Sequence, residues 1–222
     1  MGVLGKLRPP DERPADAVQQ RRGSTPANLR RSNGLKDFLW LMPEEPQGRL
    51  LDLGPVSQAT VGFFTDRGFR VSAEDLMRGW SEFDAEEDRE RGAAAEPPDA
   101  AALASKFLDG CLRFVPGTFH GILAWDIFDY LEPELLAPLV SRLYELLAPG
   151  GVLLAAFHDS AEIEASHYRV HDNETLELIP GRRPRAIRRV FQNREVLALF
   201  SGFRSSRTYV GRDHLREALF LK

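Results

Sequence analysis

The sequence predicts an α/β fold, a doubly wound and mostly parallel seven-stranded sheet with an antiparallel hairpin at its C-terminal edge. Three observations carry this. Short apolar runs closed by turn residues recur at 49–53, 69–73, 119–125 and 152–157, and stretches with helical apolar spacing separate them. Between 49 and 73, strand, helix and strand follow within about 25 residues, a βαβ unit that calls for parallel pairing. Two final extended segments, 203–210 and 215–221, are joined only by Gly211-Arg212-Asp213, a turn short enough for antiparallel pairing alone.

Length and composition bound the rest. At 222 residues the chain suits one domain and excludes a separate substrate domain, while 43% apolar residues and three Trp allow a core without metal or disulfide staples. The lone Cys111 has no intramolecular partner, and neither an N-terminal apolar signal run nor an eighteen-residue apolar stretch occurs, so a soluble, cytoplasmic protein is expected. The net charge of −4 hides three blocks: residues 1–31 carry seven basic and three acidic side chains, 74–91 three basic and eight acidic, and 182–194 six arginines and no acid.

Residues 1–33, with four prolines and paired arginines, read as a flexible basic arm preceding a domain over 34–222. Leu35, Phe38, Leu39 and Leu41-Met42 recur at helical spacing until Pro43. The run 49–53 is a buried strand ended by Gly54-Pro55, and Ser57 caps a helix that stops at Gly68. Phe69–Ala73 is the next strand, ending on Glu74-Asp75. Residues 81–100 read as a surface loop or irregular helix leading into a helix at about 99–109. Phe119–Trp125 is a buried strand ended by Asp126. Pro133 opens a leucine-rich helix, Pro149-Gly150-Gly151 ends it, and a strand runs to Phe157. From His158 the alternation lapses for about thirty residues, until a short helix at 195–200 precedes the terminal hairpin.

Ligands of such sheets sit beyond the carboxyl ends of the strands, where strand order reverses. Three strand ends carry acids there: Asp52 with Gly54, Glu74-Asp75, and Asp126. A carboxylate after the second strand suits the two hydroxyls of a ribose, and a glycine turn after the first admits a bulky ligand. Together these features describe an adenosine-containing ligand.

On these residues the chain, from about Arg49 onward, resembles class I S-adenosylmethionine-dependent methyltransferases. The family places an acid twenty-three positions beyond the acid of its first glycine turn, and Asp75 stands so from Asp52, with Gly68 between them. Leu112-Arg-Phe-Val-Pro-Gly-Thr-Phe-His-Gly-Ile-Leu-Ala-Trp-Asp126 is similar to the family's stretch before and through its fourth strand, and Leu-Leu-Ala-Pro-Gly-Gly-Val-Leu-Leu154 to its proline-glycine-glycine signature. The resemblance implies a Rossmann-like fold, S-adenosylmethionine as cofactor, and methyl transfer, here to a small molecule because no separate recognition domain is present. It implies cofactor contacts at Asp52, Gly54, Pro55, Val56, Glu74, Asp75, Asp109 and Trp125, and a reaction mouth with Asp126 orienting the acceptor or the cofactor's ammonium group and His158 as base. Val56 and Gln58 stand where the family has its second and third glycines. Two readings follow: a turn that tolerates Pro-Val-Ser-Gln, or a methyltransferase-like fold kept as an interaction module without catalysis.

Other residues carry bland readings beside functional ones. Tyr130 suits the acceptor pocket or the core. His167 and His171 have the spacing of paired ligands on a helix, but the segment is not helical in pattern and lacks a third ligand, so no metal is expected. The arginines of 182–189 suit an acidic partner or phosphate, or a solvated segment. Without interleaved aromatics apart from Phe191, nucleic acid is disfavoured.

Overall fold

A computed structural model describes residues 28–43, 48–91, 99–162, 166–181, 186–211 and 213–222. Most of the basic arm and the arginines at 182, 183 and 185 lie outside the described residues.

The main sheet is built on β2 (Arg49–Asp52), β3 (Arg70–Ala73), β4 (Phe119–Trp125), β5 (Leu147–His158), β8 (Ser205–Val210) and β9 (Leu215–Leu221), in the order β3-β2-β4-β5-β9-β8. The first three pairings are parallel and the last two antiparallel, so the terminal hairpin lies at one edge as its short turn demands. Six strands form this sheet among the described residues, not seven. Four apolar runs and the two strands of the terminal hairpin supply the six, and between β3 and β4 the described chain is acidic or alanine-rich and forms helices instead.

Side chains alternate across the sheet at the period of two that a pleated strand imposes. Leu51, Ile122, Ala124, Leu153, Ala155, Phe157, Ala218 and Phe220 face one core. That face is covered by α3 (Leu76–Arg91), α4 (Ala100–Cys111), α5 (Pro133–Leu146) and α6 (Asn193–Leu199). Leu50, Leu123, Val152, Leu154 and Leu219 face the other core, under α1 (Asn33–Leu41) and α2 (Gln58–Thr65). Ser32 and Ser57 cap α1 and α2 by accepting from Leu35 N and Thr60 N.

Two segments differ from expectation. The acidic stretch read as a loop or irregular helix is the sixteen-residue α3, whose Trp80 and Phe83 pack on Phe107 of α4. The polar stretch after His158 holds a hairpin, β6 (Ser166–Asp172) and β7 (Thr175–Pro180), which β1 (Leu29–Arg31) extends into a three-stranded antiparallel sheet. This small sheet buries Tyr168, Val170 and Leu176 against α2 and the main sheet, and Thr60 Oγ1 accepts from Val170 N at 3.1 Å.

β1 lies within the segment assigned to the arm, and a buried ion pair holds it. Arg30, with its side chain 9% exposed, donates to Glu217 Oε1 at 2.8 Å, to Leu215 O at 3.1 Å and to Asp213. Glu217 also accepts from Ser32 Oγ, and from Gly34 N at 3.1 Å at the start of α1. A carboxylate with this many donors, one of them a guanidinium, is stable in the interior where an unpaired one is not.

Candidate functional site

Strand order reverses at β2, which has β3 on one side and β4 on the other, and a cavity of about 230 Å³ opens there beyond the carboxyl ends. Leu53, Gly54 and Pro55 line it from the turn after β2, Asp75, Met77 and Arg78 from the end of β3 and the start of α3, and Trp125, Asp126, Ile127 and Tyr130 from the end of β4. Ser166, His167 and Tyr168 close it from the small sheet.

The turn after β2 is pinned from within. Asp52 is buried, and its Oδ1 accepts from Gly54 N at 3.0 Å and from Trp125 Nε1 at 2.7 Å. Burial pushes its pKa up, the Trp125 and Gly54 hydrogen bonds pull it back, and the Asp75 charge adds to the rise. Asp52 therefore shapes the site from behind and does not line the cavity. Gly54 is needed for a related reason: a Cβ there would stand 2.7 Å from Trp125 Cδ1. The close approach that the glycine permits is thus the indole's.

Trp125 is the residue that organises this wall. Its φ of +49° places a bulky side chain in the left-handed region, a conformation that surrounding contacts must hold. The indole nitrogen is tied to Asp52 on one side, and the ring stacks on Tyr168, with centroids 5.3 Å apart and planes 5° from parallel. Both rings line the cavity.

Beside them lies Asp126, whose side chain is 9% exposed. Its Oδ2 accepts from Tyr168 OH at 3.0 Å and Tyr130 OH at 3.4 Å, and meets His158 Nε2 at 2.9 Å. Its Oδ1 has no hydrogen bond to a described residue. Burial, then the charge and hydrogen bond of Asp126, hold the Tyr168 phenol well above its ordinary range, so it is a proton donor here. Behind this group, Asp129 Oδ2 accepts from His158 N at 2.7 Å, and Asp129 O accepts from the backbone N–H groups of Arg188 and Arg189.

The sequence-derived residues divide accordingly. Gly54, Pro55, Asp75, Trp125 and Asp126 share the cavity wall, and Tyr130 joins them. His158 ends β5 as a buried residue against Asp126 and does not line the cavity. Glu74 turns its backbone N–H to Asp52 O at 2.8 Å and is absent from the wall. Val56 is 70% exposed and Asp109 is exposed on α4, both away from it. Gln58 is also exposed, so neither side chain standing for a family glycine fills the cavity. His167 and His171 lie on β6, not a helix, and among the described residues no group of three His, Cys, Asp or Glu is placed to hold a metal. Arg188 and Arg189 pair with Glu132 at 2.7 Å and Glu195 at 2.6 Å. Among the described residues no helix is long and apolar enough to cross a membrane.

Tyr168 is the site residue that sequence reasoning missed. The alternation Tyr168, Val170 across from Leu176, Leu178 with Asn173-Glu174 between them was the available signal.

No family model matches the chain, and no curated protein sequence matches it. Solved structures to which it is similar include a 1,6-didemethyltoxoflavin-N1-methyltransferase from Burkholderia thailandensis with bound S-adenosylhomocysteine, at 18% identity over 79% of this chain and 71% of that one, with a TM-score of 0.45. An S-adenosylmethionine-dependent methyltransferase from Mesorhizobium loti is 16% identical over 84% of this chain and 96% of that one, with a TM-score of 0.46. A glycopeptide N-methyltransferase complexed with S-adenosylmethionine is 15% identical over 85% and 94%, with a TM-score of 0.40. Several of the solved structures to which the chain is similar are thus S-adenosylmethionine-dependent methyltransferases.

Proposed function

We propose that the protein is an S-adenosylmethionine-dependent methyltransferase acting on a small molecule. The observation that carries this reading is the cavity where strand order reverses, with the Gly54-Pro55 turn and Asp75 on one wall and Asp126 on the other. The sequence resemblance from Arg49 onward points the same way, and its two spaced acids, Asp52 and Asp75, flank that turn.

The residues present fit the nucleoside end of the cofactor. Asp75 Oδ1 accepts from Arg78 N at 3.1 Å, capping α3, whereas Oδ2 has only a 3.9 Å approach of Arg78 Nε and keeps lone pairs for ribose hydroxyls. Met77 and Ile127 supply apolar surface for a purine. The cavity of about 230 Å³ falls below the roughly 300–1,000 Å³ of small-molecule sites, and the stacked Trp125 and Tyr168 are part of its wall. Val56 and Gln58 are exposed and do not line it, so neither side chain fills the cavity.

When bound, the cofactor supplies an electrophilic methyl group. Alignment is then the main demand on the protein. Asp75 holds the sugar, and the aromatic wall excludes water. Asp126 orients the acceptor and takes a proton from it where one must leave, while His158 and the two phenols hold its carboxylate in place. Isothermal titration with S-adenosylhomocysteine tests the first step. Binding is expected, weakened roughly 10–100-fold in Asp75→Ala through loss of hydrogen bonds to a charged group. No heat at high micromolar ligand would sink the reading.

A further inference from the structure

A second cavity, of about 850 Å³, lies toward the amino ends of β2 and β3 and shares no lining residue with the first. Met42 and Pro43 reach it from the end of α1, Arg67 and Phe69 from the turn between α2 and β3, Asn173 from the β6–β7 turn, and Arg207 from β8. The proposed methyl transfer uses none of these residues. Trp40 of α1 lines the same cavity with 74% of its surface exposed, beside Leu39, Met42 and Phe69. An indole held in water at the mouth of an apolar cleft and rimmed by charge marks a contact surface. Trp, Met and Arg are also the residue types enriched where proteins meet.

The charge around this cleft is one-sided. Lys36, Arg67 and Arg207 line it against the single carboxylate of Asp37. That carboxylate is used within the wall, where it accepts from Arg207 Nη1 at 3.0 Å and from Tyr209 OH. Arg67 is the cation left over. Its Nη1 donates to Phe63 O and its Nη2 to Asn173 Oδ1, both at 2.7 Å, and the guanidinium stands 3.5 Å from the centroid of the Phe63 ring. All three partners are neutral, and no carboxylate among the described residues pairs with it, so the group is held in place with its charge unmatched. Lys36 has only a 3.6 Å approach to Glu174, both side chains being exposed. The three cations come from three elements, and Lys36 and Arg207 are more than half exposed at the rim. A buried, convergent set would suit one small anion. Cations dispersed around an apolar cleft suit a chain that carries several acids on either side of an apolar residue.

We infer that the groove between α1, the α2–β3 turn and β8 docks an acidic peptide segment of a partner protein, with an apolar side chain against Trp40 and carboxylates on Arg67 and Lys36. The docking surface does not rest on the methyl-transfer reading.

The test titrates the full chain, at constant ionic strength, with acetyl-Asp-Glu-Phe-Glu-Asp-amide and with its uncharged isostere acetyl-Asn-Gln-Phe-Gln-Asn-amide. The readout is the indole N–H resonance of Trp40, identified among the three tryptophans with Trp40→Phe. Saturable shifts with the acidic peptide at millimolar concentration and none with the isostere are expected. Affinity for the acidic peptide should fall roughly threefold to tenfold in Arg67→Gln and stay as it is in Arg113→Gln, which removes the same charge from an exposed residue outside the groove. Equal responses to the two peptides, no saturable response to the acidic one, or equal losses in the two variants would overturn the proposal. Comparing the peptides on the wild-type chain decides the matter even if Arg67→Gln does not fold. Two further outcomes give the groove to another occupant and overturn it as well: self-association of the wild-type chain in sedimentation that Arg67→Gln abolishes, which would mean a second copy, and a stronger Trp40 response to oligothymidylate of matched charge than to the acidic peptide, which would mean nucleic acid.

Discussion

Asp129 makes the stability of the fold depend on pH in an unusual direction. Its carboxyl is fully buried, Oδ1 has no partner among the described residues, and Oδ2 accepts from His158 N. Burial raises its pKa, the His158 hydrogen bond pulls it back, the Asp126 charge adds to the rise and Arg216 opposes it, leaving a value of about 8 against an ordinary 3.8. The folded chain therefore keeps a proton that the unfolded chain has already lost. Its contribution to stability is complete below about pH 4 and is lost as pH rises through about 8, at about 1.4 kcal/mol per pH unit in between. Asp129→Asn keeps an acceptor for His158 N and removes the titration. Urea unfolding of both proteins, followed by tryptophan fluorescence at pH 5 and 7.5, should show the wild type losing about 3 kcal/mol relative to the variant between the two conditions. A difference that stays flat within about 0.5 kcal/mol would refute a buried, protonated Asp129.

Two other substitutions probe the frame around the site. Glu217→Ala leaves the buried Arg30 with Asp213 as its ionic partner and removes the acceptor for Ser32 and Gly34, so it should lower stability by about 3 kcal/mol in the same urea assay and expose the bonds after Arg30 and Arg31 to trypsin. Gly54→Ala puts a Cβ at 2.7 Å from the Trp125 ring, which should cost about 1–3 kcal/mol and shift tryptophan emission to longer wavelength as the indole leaves its seat; unchanged emission would mean the turn yields instead.

Most of the main sheet was legible because its central strands are apolar runs with their own boundaries, while the polar β8 was legible from the short turn that joins it to β9. Arg49–Asp52 and Phe119–Trp125 are buried on both faces, and such strands announce themselves without reference to the rest of the chain. β6 and β7 are different. Only one face of their hairpin is covered, so Tyr168, Val170 and Leu176 alternate with His167, Arg169 and Glu177 in a pattern that reads as polar on average. β1 has three residues, and the interaction that fixes it is made by Arg30 with Glu217, 187 positions away. Composition registers Arg30 only as one more charge in a basic segment. The length of α3 was obscured for a similar reason, since its apolar contacts are few and its acids pair with neighbours such as Lys106.

The candidate site shows a second limit of local reading. Asp75 and Asp126 were legible because an acid at a strand's carboxyl end has a fixed position whatever the rest of the fold does. Gly54 was legible as a position, but its reason was not: the space it leaves is taken by an indole from 71 residues further on. That placement requires Trp125 to adopt a positive φ, Asp52 to be held inward as a hydrogen-bond acceptor, and Tyr168 to arrive from a separate sheet. None of the three is a property of a short segment. They depend on one another, because the ring that stacks on Trp125 belongs to the phenol that donates to Asp126. A change at Tyr168 should therefore disturb the aromatic wall and the carboxylate together. Asp126→Asn, which retains an acceptor oxygen, should spare the stack while removing the charge.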